Sequence, residues 1–317
     1  MKRTLRTGKL LLLLTFLFPF SVRATWQPIG PYGGDARSLA ADPDRPTRMY
    51  LGTRTGQVYV TDNGGGLWTR LEGLRAPADW VVDDLLLNPA DPRVIYAGMW
   101  SVRGPGGGVY KSADGGQSWQ ALEGIQGQSV RSLAMAPSDP NSLAAGTLEG
   151  VFRSRDGGTH WQRVSPPGHQ EIRNVESVAF DPHNPEVIYA GTWHLPWKTV
   201  DGGAHWTSIK KGLIDDSDIF SIVADPTRPG ALYASACTGI YRTDSAGATW
   251  RKIQGIPYSS RRTRALALDP ADPQTLYAGT TEGLWHTRDG GRSWSRLTSH
   301  EWVINALVID PADPAHI

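Results

Sequence analysis

The chain has 317 residues, with 32 Lys and Arg against 31 Asp and Glu, a formal charge of +1 and one Cys. A single thiol excludes an internal disulfide framework. A balanced charge excludes the strongly basic footprint of a nucleic-acid binder.

Residues 1–24 read as a targeting segment. Lys2, Arg3, Arg6 and Lys9 form a basic start, Leu10 to Phe20 an apolar core, and Val22-Arg23-Ala24 a small-residue cleavage site. The apolar run falls short of the ~20 residues that span a bilayer, and no Cys follows it to carry a lipid. The expectation is cleavage near Ala24 and export to the periplasm or the extracellular space, with no stable membrane insertion afterwards. Removing the segment takes away five basic residues and no acidic one. That leaves 27 basic against 31 acidic residues, a mature charge of −4.

Residues 25–317 read as one domain of repeats, and four cues recur in the same order. An apolar alternating run comes first, as in Val130 to Met135 or Val175 to Phe180. A Pro-bearing turn follows, as in Asn88-Pro89 or Asp181-Pro182. A short strand is next: Tyr96-Ala-Gly-Met99, Tyr189-Ala-Gly-Thr192, Tyr277-Ala-Gly-Thr280. The fourth is a Gly, a few β-formers, and a turn ending in Trp. Four of these turns share Ser/Thr-x-Asp-Gly-Gly, centred on Asp114, Asp156, Asp201 and Asp289. A fifth has Asn63 at the Asp position, and a sixth has Ser245 followed by Ala246. A period of about 40–50 residues marks stacked or radial repeats. Short strands with regular turns and no helical segment predict an all-β fold, and four antiparallel strands per repeat make a propeller blade.

Seven Trp recur at the turn position: Trp26, Trp68, Trp119, Trp161, Trp206, Trp250 and Trp294. Trp26 has no preceding strands of its own, and residues 301–317 carry a first run and its Pro turn only. The expectation is a seven-bladed propeller: six complete four-stranded blades plus fragments of a seventh, with the strand at Trp26 fastening the ring. Two middle strands of that last blade are missing, so the domain reads as truncated there or the ring as irregular.

The turn has its own chemistry. A carboxylate at a tight bend accepts several backbone N–H groups, and Gly supplies positive φ at no steric cost. Asn63, Asp114, Asp156, Asp201, Ser245 and Asp289 are therefore expected to be structural. These turns resemble the Asp-box, or bacterial neuraminidase repeat. Combined with the Asp-Pro-x-x-Pro and Tyr-Ala-Gly-Thr words, they resemble exported propellers of the photosystem II assembly and stability factor type, the sortilin N-terminal type and the xyloglucanase-like glycoside hydrolases.

The Pro turns join strands one and two, and the Trp turns join strands three and four, so both share one end of the ring. The opposite end carries the second-to-third loops and the links between blades, where propeller sites are expected. Trp100 and Arg103 lie in an expanded loop there, and Trp193, His194 and Trp197 replace the usual Gly and Tyr of the fourth repeat. Exposed aromatics suit a sugar ring or a partner segment. Arg54, Arg261 and Arg262, with Arg37, Arg103, Arg131, Arg173 and Arg264 near the same face, suit a carboxylate, phosphate or acidic protein. Asp83-Asp84 and Asp215-Asp216-Ser217-Asp218 stand at blade entries where they can pair with these arginines.

The xyloglucanase resemblance implies an early catalytic Asp in an Arg-Thr-Asp-Ile-Gly-Gly segment and a second one in another propeller. The matching stretch here, Gly52-Thr53-Arg54-Thr55-Gly56, has no Asp. The arginine triad and the Tyr–Glu pair that a sialidase resemblance would imply are not found. The eight His show no metal-ligand spacing, and no cofactor motif is present. The expected function is a non-catalytic exported scaffold that binds a protein or polysaccharide. A glycoside hydrolase with a degenerate or incomplete site is the alternative.

Overall fold

The computed structural model describes residues 26–31, 35–260, 263–298, 302–310, 313–314 and 316–317. The expected leader lies outside them. The described residues are β-strands and turns, with one turn of 3-10 helix at Tyr258–Ser260. They form six antiparallel sheets of four strands, each in chain order. The first sheet comprises Ala36–Asp42, Arg45–Thr53, Val58–Thr61 and Thr69–Leu71. The others span 80–121, 130–163, 175–208, 219–253 and 265–296. The first strand of each sheet packs on the first strand of the next. The sheets are thus the blades of a propeller, with first strands innermost.

The recurrent words of the sequence have visible causes. In Tyr-Ala-Gly-Thr the Gly lets the next blade close in. A Cβ on Gly52 would meet Val82 Cγ1 at 2.6 Å, one on Gly98 would meet Val130 Cγ1 at 2.9 Å, and one on Gly191 would meet Ile219 Cγ2 at 2.6 Å. The Tyr is buried in the seam and reaches forward: the Tyr96 hydroxyl donates to the Gly157 carbonyl at 2.8 Å, in the Trp turn of the following blade. Pro46, Pro92, Pro140 and Pro185 begin second strands, inside register shifts where three residues pass unpaired. A residue without an N–H costs nothing there.

The Asp turns are self-contained. In Ser112–Trp119, Asp114 Oδ1 accepts the Ser118 N–H at 2.9 Å and the Ser112 hydroxyl at 2.8 Å, and Oδ2 accepts the Ser118 hydroxyl at 2.5 Å. Asp156 and Asp201 receive the backbone N–H and imidazole Nδ1 of His160 and His205 in the same way. Asp289 receives Ser293. Asn63 keeps the backbone bond from Leu67 and Ser245 the one from Thr249. The next residue then ties the turn to the start of the second strand. Gly115 donates to Arg93, Gly157 to Asn141 and Gly202 to Glu186, each at 2.9 Å. Both connections therefore lie at one end of the ring.

The count of blades is corrected from seven to six. Residues 26–29 and 302–310 lie between the sixth and first blades, but neither has a strand to pair with among the described residues. Each docks by separate contacts instead. The Trp26 indole donates to the Leu297 carbonyl at 3.1 Å, and Ile29 accepts from the Trp68 indole at 2.7 Å. Ile304 donates from its backbone to Thr280 at 3.0 Å and packs over Gly279 as Val82 does over Gly52.

Candidate binding site at the channel

In five of the six blades one residue near the start of the first strand turns inward, and a β-bulge is the device. The ladder skips Arg37 between Ala36 and Ser38, Asp83 between Val82 and Asp84, Arg131 between Val130 and Ser132, Glu176 between Val175 and Ser177, and Phe220 between Ile219 and Ser221. A bulge adds one residue that the partner strand does not match and re-aims its side chain. All five bulged residues line one cavity of about 330 Å³ with Arg264, Asn305, Trp193 and Asp218. The cavity lies on the axis, at the end opposite the Asp turns. Small partners behind the bulges hold the strands in place: the Ser38 hydroxyl donates to the Val82 carbonyl, and Ser132 accepts the Val178 N–H. Blade two has Asp84 at this position, and its Oδ2 accepts the Leu133 N–H at 2.7 Å.

Charge is unevenly arranged around the ring. Arg131 stands between two carboxylates, its Nε 3.3 Å from Asp83 Oδ2 and its Nη2 3.2 Å from Glu176 Oε2. Its guanidinium also lies 4.0 Å from the centre of the Trp100 ring, a favourable stacking of cation on π face. Burial pushes the Asp83 carboxyl above its ordinary pKa, against the pull of Arg131. Burial raises Asp84 to about 7. On the other side Arg37 keeps a buried Nε with no hydrogen-bond acceptor, and Asp35 lies 3.5 Å from it. Arg264 is exposed, and no described residue pairs with its guanidinium. Asn305 sits between these two arginines, its amide donating to the Ala36 carbonyl at 2.9 Å. Trp193 is 50% exposed, with its indole donating to Glu176 Oε1 at 2.8 Å.

The residues singled out from sequence fall in different places. Trp193 lines the cavity, and Trp100 lies behind its Arg131 wall. Arg103 is exposed on the loop beyond Ser101. His194 faces outward, 3.3 Å from Asp216 and 3.9 Å from Glu171. Trp197 is buried between blades three and four with Val151, Ile172 and Val175, and is a core side chain. Arg54 is exposed in the second-to-third turn of blade one, outside the cavity lining. Arg261 and Arg262 lie outside the described residues. Glu176, Phe220 and Asn305 were not singled out. Their signal is a residue at odds with the apolar run, or an oversized one, directly before the small residue of a first strand. No group of three or more His, Cys, Asp or Glu able to hold a metal occurs among the described residues. No helix among them is long and apolar enough to cross a membrane.

No family model matches the chain. Part of it, 114 residues or 34%, is 26% identical to an oligoxyloglucan-reducing end-specific xyloglucanase of Emericella nidulans, and a stretch of 110 residues is 26% identical to a similar protein of Neosartorya fischeri. Each match spans only 13% of the relative's length. Among solved structures, the GH74 xyloglucanase from Xanthomonas campestris superposes with a TM-score of 0.73 at 23% identity, over 89% of this chain and 50% of that one. YCF48 bound to D1 peptide superposes with a TM-score of 0.63 at 16% identity, over 86% and 85%. The extracellular domain of a hybrid two-component system from B. thetaiotaomicron gives 0.69 at 15% identity, over 90% and 36%. The chain thus spans about half the length of the Xanthomonas enzyme. What these likenesses establish is a β-propeller fold similar to that of xyloglucanases and of YCF48.

Proposed function

We propose that the chain is an exported binding scaffold that engages a protein segment or a glycan at the channel mouth. The observation that supports this most is the ring of bulged residues. A bulge interrupts the ladder at each of five first strands, and each interruption delivers a side chain to the same cavity. Core packing does not require charged residues there. The Asp-box turns account for the acidic residues at the other end, so recognition belongs to the mouth. YCF48 has been seen with a peptide and the xyloglucanases are named for a polysaccharide, so the related folds serve both kinds of ligand.

The test is a peptide and glycan array probed with the purified chain and two variants. Trp193→Ala at the mouth is expected to abolish binding, and Asp289→Asn at the opposite end is expected to leave it unchanged. Binding that follows Asp289 and ignores Trp193 would overturn the proposal.

A hydrolase reading is favoured by one observation. Asp83 is a buried carboxyl with a raised pKa, held across Arg131 from a second carboxylate, Glu176. Two carboxyls facing one cavity, one of them raised, are the components of glycoside hydrolysis. Release of reducing sugar from xyloglucan, lost in Asp83→Asn, would establish it; no release from the unaltered chain would dismiss it.

A further inference from the structure

The two sides of the channel ring offer different chemistry. Arg131 has a carboxylate on each flank and an indole against its face. Arg264 and Arg37, which flank Asn305, have fewer carboxylates around them. Among the described residues the Arg264 guanidinium has no carboxylate partner, and Arg37 has one, Asp35, 3.5 Å from its Nε. A guanidinium is a planar fork that matches a carboxylate and is left costly when desolvated without one. The other wall is Trp193, with half its surface open and its ring oriented by the bond to Glu176. Phe220 stands beside it in the lining. Asp83 and Glu176 each present carboxylate oxygens with lone pairs to spare, since an ionised carboxylate has about four acceptor sites.

We infer that the channel mouth takes an acidic sugar, a uronate unit of a polysaccharide, with its carboxylate on Arg264 and Arg37, its ring face on Trp193 and its hydroxyls donating to Asp83 and Glu176. This rests on the mouth being the binding end of the ring. A neutral sugar would satisfy the indole and the carboxylates but leave Arg264 without a carboxylate and Arg37 with Asp35 alone. A peptide carboxylate would satisfy the arginines but give the indole face and the acidic wall nothing specific to bind. A uronate uses all three. The cavity volume of about 330 Å³ is within the ~300–1,000 Å³ of small-ligand sites.

The experiment is calorimetric titration of the purified chain, with tryptophan fluorescence as a second readout. The probes are trigalacturonate, a neutral xyloglucan heptasaccharide, and a pentapeptide with a free C-terminal carboxylate. Trigalacturonate is expected to bind saturably, at least about tenfold tighter than the neutral sugar, and more weakly as salt is raised. Arg264→Gln, on an exposed side chain, and Arg37→Gln are each expected to weaken trigalacturonate by about tenfold, in keeping with loss of a charge-assisted contact, and to leave the neutral sugar unaffected. Equal affinity for both sugars, indifference of trigalacturonate to Arg264→Gln, or binding of the peptide alone would overturn the acidic-sugar inference. In those cases the channel-mouth reading survives if Trp193→Ala abolishes whatever binds. Binding of none of the three overturns this inference, and the array experiment then decides the broader reading separately.

Discussion

Arg153 and Glu186 meet across the seam between the third and fourth blades, Nη1 to Oε2 and Nη2 to Oε1, each at 2.9 Å. The cause lies one strand away. In blades two, four and five the cation of the third strand lies over a second-strand Tyr: Lys111 over Tyr96, Lys198 over Tyr189, Arg242 over Tyr233. Blade three has Ala144 opposite Arg153, so the guanidinium has no ring beneath it. It is 1% exposed and turns to the next blade, where it also donates to the Pro185 carbonyl, while Ser142 of its own blade accepts a further bond. Glu186→Gln is expected to destabilise the chain because a buried guanidinium loses its counter-charge. Breaking a fully buried pair costs about 3–5 kcal/mol. Glu186 is 37% exposed and is shared with Arg155, so solvent screening reduces this to about 1–2 kcal/mol. The urea midpoint of the variant measures it, and Arg153→Met with Glu186→Gln should recover part of the loss.

Acid should unfold the protein earlier than its cores alone would dictate. The residue four places on donates to each turn carboxylate, Ser118 to Asp114 and His160 to Asp156, and both are held down to about 2. Asp201 and Asp289 are likewise well below the ordinary range because of His205 and Ser293. Arg155 and then Arg153 hold Glu186 at about 2. A depressed carboxyl stabilises the fold above its unfolded pKa of about 4 and loses that contribution as pH falls through the folded value. Urea midpoints should therefore fall between about pH 4 and 2. Asp201→Asn should lower the midpoint at pH 6 and flatten its slope in that window. An unchanged slope would remove the turns from the account.

What was legible in the sequence is what is local. Asp114, Gly115, Gly116 and Trp119 specify a bend through bonds spanning at most four residues, so the repeat and the propeller could be read directly. The pairing of Arg131 with Asp83 was visible as complementary charges at blade entries. The bulges were not. Glu176 followed by Ser177 looks like ordinary alternation until the register shows Glu176 skipped. Trp197 was read as a loop residue because His194 and Pro196 interrupt the repeat. It is the third strand, Pro196–Thr199, that begins there and buries the indole. The blade count depended on how distant segments pair, which neither Trp26 nor Ile304 encodes locally.

Asp84 should oppose the other carboxylates. Blades one, three, four and five have Ser at this position behind the bulge, namely Ser38, Ser132, Ser177 and Ser221. Asp84 accepts the Leu133 N–H, and burial raises it to about 7 against the pull of backbone hydrogen bonds from Leu133 and Leu85. A carboxyl with a raised folded pKa contributes fully below its unfolded value of about 4, and that contribution is lost as pH rises through 7. Asp84→Ser should therefore raise the urea midpoint at pH 7.5 and change it little at pH 4. A fall at pH 7.5 would mean that the charged form is stabilised by neighbours that this geometry does not provide.

Ala246 is the one turn residue of its kind that pays for its side chain. Its φ is +51°, where the equivalent Gly64, Gly115, Gly157, Gly202 and Gly290 have φ between +66° and +75°. An L residue in the left-handed region costs roughly 1–2 kcal/mol, partly offset by the lower chain entropy of Ala in the unfolded state, about 0.4–1 kcal/mol. The fold tolerates it because Ala246 still donates to the Gly230 carbonyl at 2.8 Å and its carbonyl still accepts the Lys198 ammonium at 3.2 Å. Ala246→Gly should stabilise the chain by about 0.5–1 kcal/mol. The reverse change, Gly290→Ala, should be worse than that backbone term alone, because its Cβ would stand 2.8 Å from both Arg242 Nη1 and Gln274 Oε1. Thermal and urea unfolding of the two variants test the pair. If Ala246→Gly is neutral or destabilising, the strain assigned to this turn is absorbed elsewhere in blade five.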